Sequence, residues 1–504
     1  MDPMTAALVA AVILLVLLAI RTPVALGLLI AGVVGLLLTD GFTLAEITLT
    51  RRSFEATGRY VLVVIPFFLA MGVLVKESGI AQDLFAFGQR IFRRVPGGLA
   101  VATIFACAAF GAISGSSVAT VASIGRIAIQ EMRKLGYRIS VAAGAVGASG
   151  TLSVMIPPSI ALVLYGIVTG ESIGELLIAG IVPGIITAVA FSIAVIARAV
   201  LRPNSFRPVP AVTAAGSSPA PLTVDDAGGA APAPAAAVSS PTPAARSDPA
   251  AAAPATAPSG GAVPAAGPTA AGSESAGTGS GSLPAVRYRS VVETAILVVL
   301  VLGGIYTGLT TVVEAAGLGG VLALLMLLLR RPETVSRLRK LRNALLETTQ
   351  LNAMIFLLLV GSGVFSYMLV SAGVPRETSR FVGSLDVPPV VLVIILLAIF
   401  IPLGMFLDPI AMLVIAVPLT YPIVVTELGF DGIWYGILVV KMTELALITP
   451  PLGLNAFVIA GVSKDVSVED AFAGSMWYVP VDLALIALLF AFPGIVTWLP
   501  NLMA

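Results

Sequence analysis

Apolar residues run in blocks of about 17–25 along nearly the whole chain, the length that crosses a hydrocarbon core. That pattern predicts an all-α polytopic membrane protein. Two kinds of stretch interrupt it. The first lies inside apolar runs: "GASGTLSVMIPPSI" (147–160) and "ITPPLGLN" (448–455) combine glycines, hydroxyl residues and a double proline that no unbroken helix holds. "GAISGSS" (111–117) and "GMFLDPIAM" (404–412) interrupt two further runs. The second kind is one long segment, 203–285, built of Ala, Pro, Gly and Ser with hardly any charge or large apolar residue. Such a composition buries no core and is expected to be a disordered linker.

The runs on either side of that segment resemble each other. "LGYRISVAAGAVGASGTLSVMIPPSI" pairs with "LGFDGIWYGILVVKMTELALITPPLG", "KESGI" with "VSAGV", and "SIGELLIAG" with "SVEDAFAG", in the same order. Gly136 precedes Pro157–Pro158 by the distance that separates Gly429 from Pro450–Pro451. The chain reads as an internal duplication. Residues 1–59 form leading helices and 60–202 the first copy, with a hairpin at 99–132 and a broken helix at 139–166. The linker at 203–285 and two more spans at 286–348 follow. Residues 349–504 form the second copy, with a hairpin at 389–427 and a broken helix at 432–462.

Basic residues orient the runs, because Lys and Arg concentrate on the cytoplasmic side. Asp2 before the first run and Arg21 after it place the N-terminus outside, and the second run returns outward near Asp40. Arg90, Arg93 and Arg94 on one side of 99–132, with Arg133, Lys134 and Arg138 on the other, put both of its ends in the cytoplasm, so it is expected to be re-entrant. Arg198, Arg202 and Arg207 make the linker cytoplasmic, and "RRPETVSRLRKLR" returns the chain to that side. The counterpart hairpin then starts outside, which makes the two copies inverted repeats. Arg51, Arg52 and Arg59 fall outside in this scheme, against the rule.

Composition narrows the chemistry. The chain is 58% hydrophobic and 11% charged with a net charge of +1, so nothing points to nucleic acid. It has no histidine, which excludes imidazole metal sites and His-based catalysis, and no nucleophile–base arrangement stands out; the chain does not read as an enzyme or as a cofactor protein. The single cysteine, Cys107, has no disulfide partner and reads as helix packing. Lys441 and Glu444, three apart, are expected to pair on one helix face. Glu314 is expected in a short loop, Glu293 near water at the cytoplasmic edge, and Trp477 and Tyr478 as interfacial anchors.

Breaks at membrane depth are tolerated only where protein or water satisfies the backbone, and they expose helix N-termini for anions and free carbonyls for a hard cation. The candidates are therefore Ser114, Gly115, Ser116 and Ser117 at the first hairpin tip, Ser149 to Ser159 in the first broken span, Asp408 and Pro409 at the second tip, and Thr449 to Asn455 in the second. Sodium takes oxygens of these kinds by the hard-ion logic that governs calcium and magnesium; no transition metal is expected. Ser116 or Ser117 fits an N-cap as well as a cation ligand, and Asp408–Pro409 fits an N-cap followed by a first-turn proline. Asn455 suits a carboxylate, sodium or a plain interhelical bond. Pro157, Pro158, Pro450 and Pro451 hold the helices open.

"FGAISGSSVATVASIG", "EMRKLGY", "GASGTLSVMIPPSIALVLYG" and "SIGELLIAGIVPG", with "IPFFLAMGVLVKESGI" upstream and "ITPPLGLNAFVIAGV" downstream, resemble the DctM-like large permease subunit of TRAP (tripartite ATP-independent periplasmic) transporters. The resemblance spans nearly all the chain except the linker, which departs from the family pattern. It implies a sodium-coupled importer of organic acids in a prokaryotic inner membrane. A small four-helix membrane subunit and a periplasmic substrate-binding protein are the implied partners. It also implies an elevator of the ion-transporter superfamily, in which hairpins and broken spans move against scaffold helices at 1–59 and 286–348. Residue by residue, the family's ion-binding hairpin tip matches Ser114 to Ser117, its first unwound span Gly150, Thr151, Pro157 and Pro158, its second tip Asp408 and Pro409, and its second unwound span Thr449, Pro450 and Asn455. The candidate sodium ligands are thus Ser114, Gly115, Ser116, Ser117, Gly150, Thr151, Asp408 and Thr449, and the candidate substrate contacts Ser117, Ser159, Pro409 and Asn455. A single-component sodium- or proton-coupled anion transporter or antiporter is the alternative.

Overall fold

Every regular element among the described residues is a helix. The computed structural model describes residues 1–20, 22–39, 41–206, 287–330, 336–384, 387–451 and 453–502, with the side chains of 379 and 381–384 also left aside. The expectations placed on Arg21, Asp40, Arg207, most of the 203–285 segment and part of the 330–342 basic run lie outside them. Among the described residues seven helices are long and apolar enough to cross a bilayer, and two bent helix pairs, each taken as one span, raise that to nine. Helices satisfy their own backbone in hydrocarbon, which is why an apolar chain of this length folds this way.

Three helices lead: α1 (Pro3–Ala19), α2 (Val24–Thr39) and α3 (Gly41–Thr57). The first copy follows as α4 (Val64–Ser78), α5 (Ile80–Phe92), a hairpin of α6 (Gly98–Ser114) and α7 (Ser117–Lys134), a broken span of α8 (Ile139–Met155) and α9 (Ile160–Thr169), then α10 (Ile173–Ala179) and α11 (Ile181–Leu201). After α12 (Tyr288–Tyr306) and α13 (Val312–Leu329), the order recurs. It reads α14 (Arg337–Ser371), α15 (Val374–Ser384), a hairpin of α16 (Pro389–Phe406) and α17 (Pro409–Tyr421) extended by a π-helical turn to Glu427, a broken span of α18 (Gly432–Ile448) and α19 (Leu454–Val462), then α20 (Val468–Ser475) and α21 (Val479–Ala491). A short α22 (Gly494–Thr497) ends the series.

The packing is reciprocal between the copies. Helix α7 packs on α19, and its counterpart α17 packs on α9. Helix α8 packs on α20, and α18 on α10; the counterparts α4 and α14, α8 and α18, and α11 and α21 meet each other. Such exchange is what a two-fold relation between copies generates. Small residues allow the closest crossing: a Cβ at Gly144 of α8 would fall 2.2 Å from the backbone of Gly474 in α20, the small-residue interface typical of membrane helices. Hydroxyl and carboxylate groups also cross between copies. Tyr165 donates to the Gly432 carbonyl at 2.8 Å, Tyr421 to Glu171 at 2.5 Å, and Lys76 to Glu347 at 2.6 Å.

Three readings change here, and a fourth holds with an added partner. Glu314 is not in a loop: it closes a capping box with Thr311 at the start of α13. Glu293 does not simply reach water, since Arg330 and Arg289 hold its two oxygens at 3.0 and 2.7 Å. Tyr478 is buried at 2% exposure and packs edge-on against Phe191, and Trp477 lies under the Arg198 and Arg202 guanidinium groups. Lys441 and Glu444 do pair, but a third residue, Asp482, completes the group.

Candidate functional site

Both hairpins turn within two residues. Gly115 and Ser116 separate α6 from α7, and Leu407 and Asp408 separate α16 from α17. Gly115 takes φ +59°, a left-handed conformation that only glycine adopts freely. It also approaches the first broken span so closely that a Cβ would fall 2.7 Å from the Pro158 carbonyl oxygen. The double prolines lie in non-helical stretches, 156–159 in one copy and 449–451 in the other, and both Pro–Pro bonds are cis.

The breaks are shorter than the sequence suggests. Gly150 and Thr151 are helical, because α8 continues to Met155; Thr151 Oγ1 donates back to the Ala148 carbonyl at 2.8 Å. Ser114 is the last residue of α6 and Ser117 the first of α7, while Asn455 already sits inside α19. Proline drives the residue before it out of the helical region but leaves the turns further upstream their hydrogen bonds, so α8 runs to Met155 and α18 to Ile448, two residues short of the first proline.

One cluster gathers residues from both copies. Ser117 Oγ donates to Asn455 Oδ1 at 2.9 Å, and Asn455 Nδ2 donates to the Gly147 carbonyl at 2.9 Å. Ser117 and Asn455 are 4% and 1% exposed. Gly150 faces them both, and a Cβ there would fall 2.2 Å from Val121 Cγ2 and 3.5 Å from Ser117 Oγ. Beside this, Ser114 Oγ shares a 3.0 Å hydrogen bond with Thr120 Oγ1, to which Ser153 Oγ donates at 2.7 Å. All three hydroxyls are buried.

The remaining candidates cap helices. Ser116 Oγ accepts from Ala119 N at 3.4 Å, and Asp408 Oδ1 from Ile410 N and Ala411 N at 3.0 and 3.1 Å, with Pro409 at the first helical position. Ser159 Oγ accepts from Leu162 N at 3.3 Å and donates to the Val154 carbonyl. Thr449 is the C-cap of α18, its hydroxyl donating to the Leu445 carbonyl at 2.6 Å. The α19 N-terminus, opening at Gly453, has no side-chain cap. No hydrogen bond ties Asp408 or Thr449 to the Ser117–Asn455 cluster.

In both copies a glycine near the tip packs against the broken span, with the register differing by one residue. A Cβ at Gly111, five residues before the cap Ser116, would fall 2.7 Å from Ser153 Cα, and one at Gly404, four before the cap Asp408, 2.5 Å from Ala446 Cβ. Ser153 and Ala446 both lie four residues before their double proline (157 − 153 and 450 − 446). Four helices end and four begin at these breaks, so last-turn carbonyls and first-turn N–H groups converge there.

Sequence reasoning missed Thr120 and Asp482, and it held Ser153 only within the 149–159 stretch. Thr120 lies three residues after Ser117, one helical turn along the same face. Asp482 is an acid inside an apolar run, the signal that marks a functional candidate in a membrane protein.

Comparison with known proteins gives the arrangement a family. The model of the family described as tripartite ATP-independent periplasmic transporter, DctM component, matches residues 11–495. The C4-dicarboxylate TRAP transporter large permease protein DctM of Pseudomonas aeruginosa is 29% identical over 425 residues, covering 82% of this chain and 81% of that protein. The Vibrio cholerae protein of the same description is 27% identical over 510 residues, covering 96% and 95%. The sialic acid TRAP transporter large permease protein SiaM of Vibrio cholerae is 23% identical over 485 residues, covering 95% of each chain. The crystal structure of the Alcanivorax borkumensis YdaH transporter shares the fold, with a TM-score of 0.55 at 14% identity over 91% of this chain and 90% of that one. The chain therefore belongs to the DctM family, as the multi-pass large permease subunit of a tripartite ATP-independent periplasmic transporter.

Proposed function

We propose that this permease imports an organic acid across a bacterial inner membrane, driven by sodium, by elevator-type alternating access. A small four-helix membrane subunit completes the membrane complex, a periplasmic binding protein delivers the substrate, and the 203–285 segment lies in the cytoplasm. The relatives named for C4-dicarboxylates and sialic acid support a carboxylate substrate.

The observation that carries the reading is the Ser117–Asn455 hydrogen bond, which joins the hairpin tip of one copy to the broken span of the other. Around it, the Gly147 carbonyl and the hydroxyls of Ser114, Ser117, Thr120 and Ser153 offer the neutral oxygens that sodium takes. The uncapped N-terminus of α19, with Asn455 in its first turn, suits a carboxylate. Asp408 and Thr449 are the candidate oxygens of the other copy, each hydrogen-bonded within its own segment.

Inversion of the copies is supported by the apolar spans between the start of α4 and the start of α14. Among the described residues they are α4, α8–α9, α10–α11, α12 and α13, five with the bent pair taken as one span. Each hairpin adds an even number whether its arms cross fully or turn back. An odd total sends the second copy in from the opposite face, the symmetry that lets one site open to either side.

The test is uptake into proteoliposomes holding the complete three-component transporter. A sodium gradient is expected to drive accumulation, and Asp408→Asn and Ser117→Leu to abolish it with assembly intact. Accumulation without sodium contradicts the coupling, and unchanged sodium-driven uptake in both variants contradicts the site.

A further inference from the structure

Away from the hairpin tips, three ionisable side chains meet where no water reaches. Lys441 and Glu444 of α18 and Asp482 of α21 are each 0% exposed. Lys441 Nζ lies 2.6 Å from Glu444 Oε2 and 2.7 Å from Asp482 Oδ1, and the Phe191 ring of α11 covers it at 5.7 Å. The other carboxylate oxygens, Glu444 Oε1 and Asp482 Oδ2, have no hydrogen-bond partner.

One ammonium and two carboxylates leave a net charge of −1 in a dry interior, and an uncompensated buried charge is strongly unfavourable. Other titratable groups on the elements packed against α18 and α21 are Glu175 of α10, Tyr165 of α9, Tyr421 of α17, Glu427 of the π-helical turn, and Arg198 of α11, with Tyr435 on α18 itself and Tyr478 at the head of α21. Among the described residues, Lys441 forms ion pairs with Glu444 and Asp482 and with none of these groups. The compensating charge has to come from a bound cation. Sodium fits poorly: two orphan oxygens fall well short of its coordination number, and an ammonium already sits between the acids.

We propose that Lys441, Glu444 and Asp482 form a proton-binding site that holds one exchangeable proton on Glu444 or Asp482. Adding the proton converts one carboxylate to a neutral acid and brings the triad to zero charge; its new O–H supplies a donor where the ionised form has only acceptors. The site sits on the same broken span as the 449–451 break, and the Glu444 carboxylate lies beside the backbone of Met155, the last residue of α8 before the other break. Exchange with water therefore requires the two broken spans to separate locally. The proton site is independent of the sodium reading, because none of its members lies at a hairpin tip.

Infrared spectroscopy of the complete transporter in lipid nanodiscs, recorded in H2O and D2O across a pH series, tests this without substrate or sodium. The wild-type protein is expected to show a protonated-carboxyl carbonyl band at neutral pH that shifts on deuteration. Glu444→Gln or Asp482→Asn removes the band, and Asp408→Asn retains it. Each of the first two variants leaves a neutral Lys–acid pair and is expected to fold. A wild-type spectrum with no such band at neutral pH, or a band retained in both Glu444→Gln and Asp482→Asn, overturns the proposal.

Discussion

At the first double proline, 156–159, both prolines are buried, the position four residues upstream is Ser153, and Ser159 caps the helix that follows. At the second, 449–451, Pro451 is exposed, the position four upstream is Ala446, and the helix that follows has no side-chain cap. Six residues before the prolines stand Thr151 in one copy and Glu444 in the other; nine before, Ala148 and Lys441. The facing hairpin tips differ in the same sense, a serine cap in the first copy and an aspartate cap in the second. Backbone spacing along the broken spans matches between the two copies while the side chains differ, with hydroxyls gathered at the first break and charges near the second. Spacing is fixed by helix packing, which both copies share; the side chains that fill it answer to what each copy holds.

The sharpest way to break this comparison is to disturb the charges. Lys441→Met leaves two buried carboxylates without their cation and is expected to cost about 3–5 kcal/mol of stability, whereas Thr151→Ala at the position of Glu444 costs about 1 kcal/mol. Thermal unfolding of the purified complex separates them, and equal losses remove the claim that charge is confined to one copy.

Next comes close approach. Gly150→Ala drives a methyl group into Val121 and is expected to cost about 1–3 kcal/mol, with recovery in Gly150→Ala/Val121→Ala. Its counterpart seven residues before the second double proline, Thr443, donates only to its own helix at Val440. Thr443→Ala is therefore expected to change the melting temperature little.

The smallest effects belong to the caps. Asp408→Ala removes two backbone hydrogen bonds and is expected to destabilise the first turn of α17 by about 1 kcal/mol. Ser116→Ala removes one long bond at 3.4 Å and is expected to cost less than that. Hydrogen exchange at Ile410 and Ala411 against that at Ala119 reads the two directly.

Much of this was legible in the sequence because prolines, glycines and apolar run length act locally. Gly79, Gly136, Gly373 and Gly429, which align the copies by spacing, all take positive φ at helix ends. The limits of the breaks were not legible, since nothing in "GASGTLS" forbids a helix that neighbours bury on all sides, as α8 is. Nor were the partners: Ser117 and Asn455 lie 338 residues apart, and Asp482 meets Lys441 only through the packing of α21 on α18.

That the two copies build one site at the junction of a hairpin tip and the opposite broken span is tested most directly by a double-mutant cycle. Sodium-dependent uptake is measured for Ser117→Ala, Asn455→Ala and the pair, and the sodium concentration for half-maximal rate is converted to free energy. The account predicts an interaction energy of about 0.5–3 kcal/mol between the two positions. Effects that add to within about 0.3–0.5 kcal/mol contradict it.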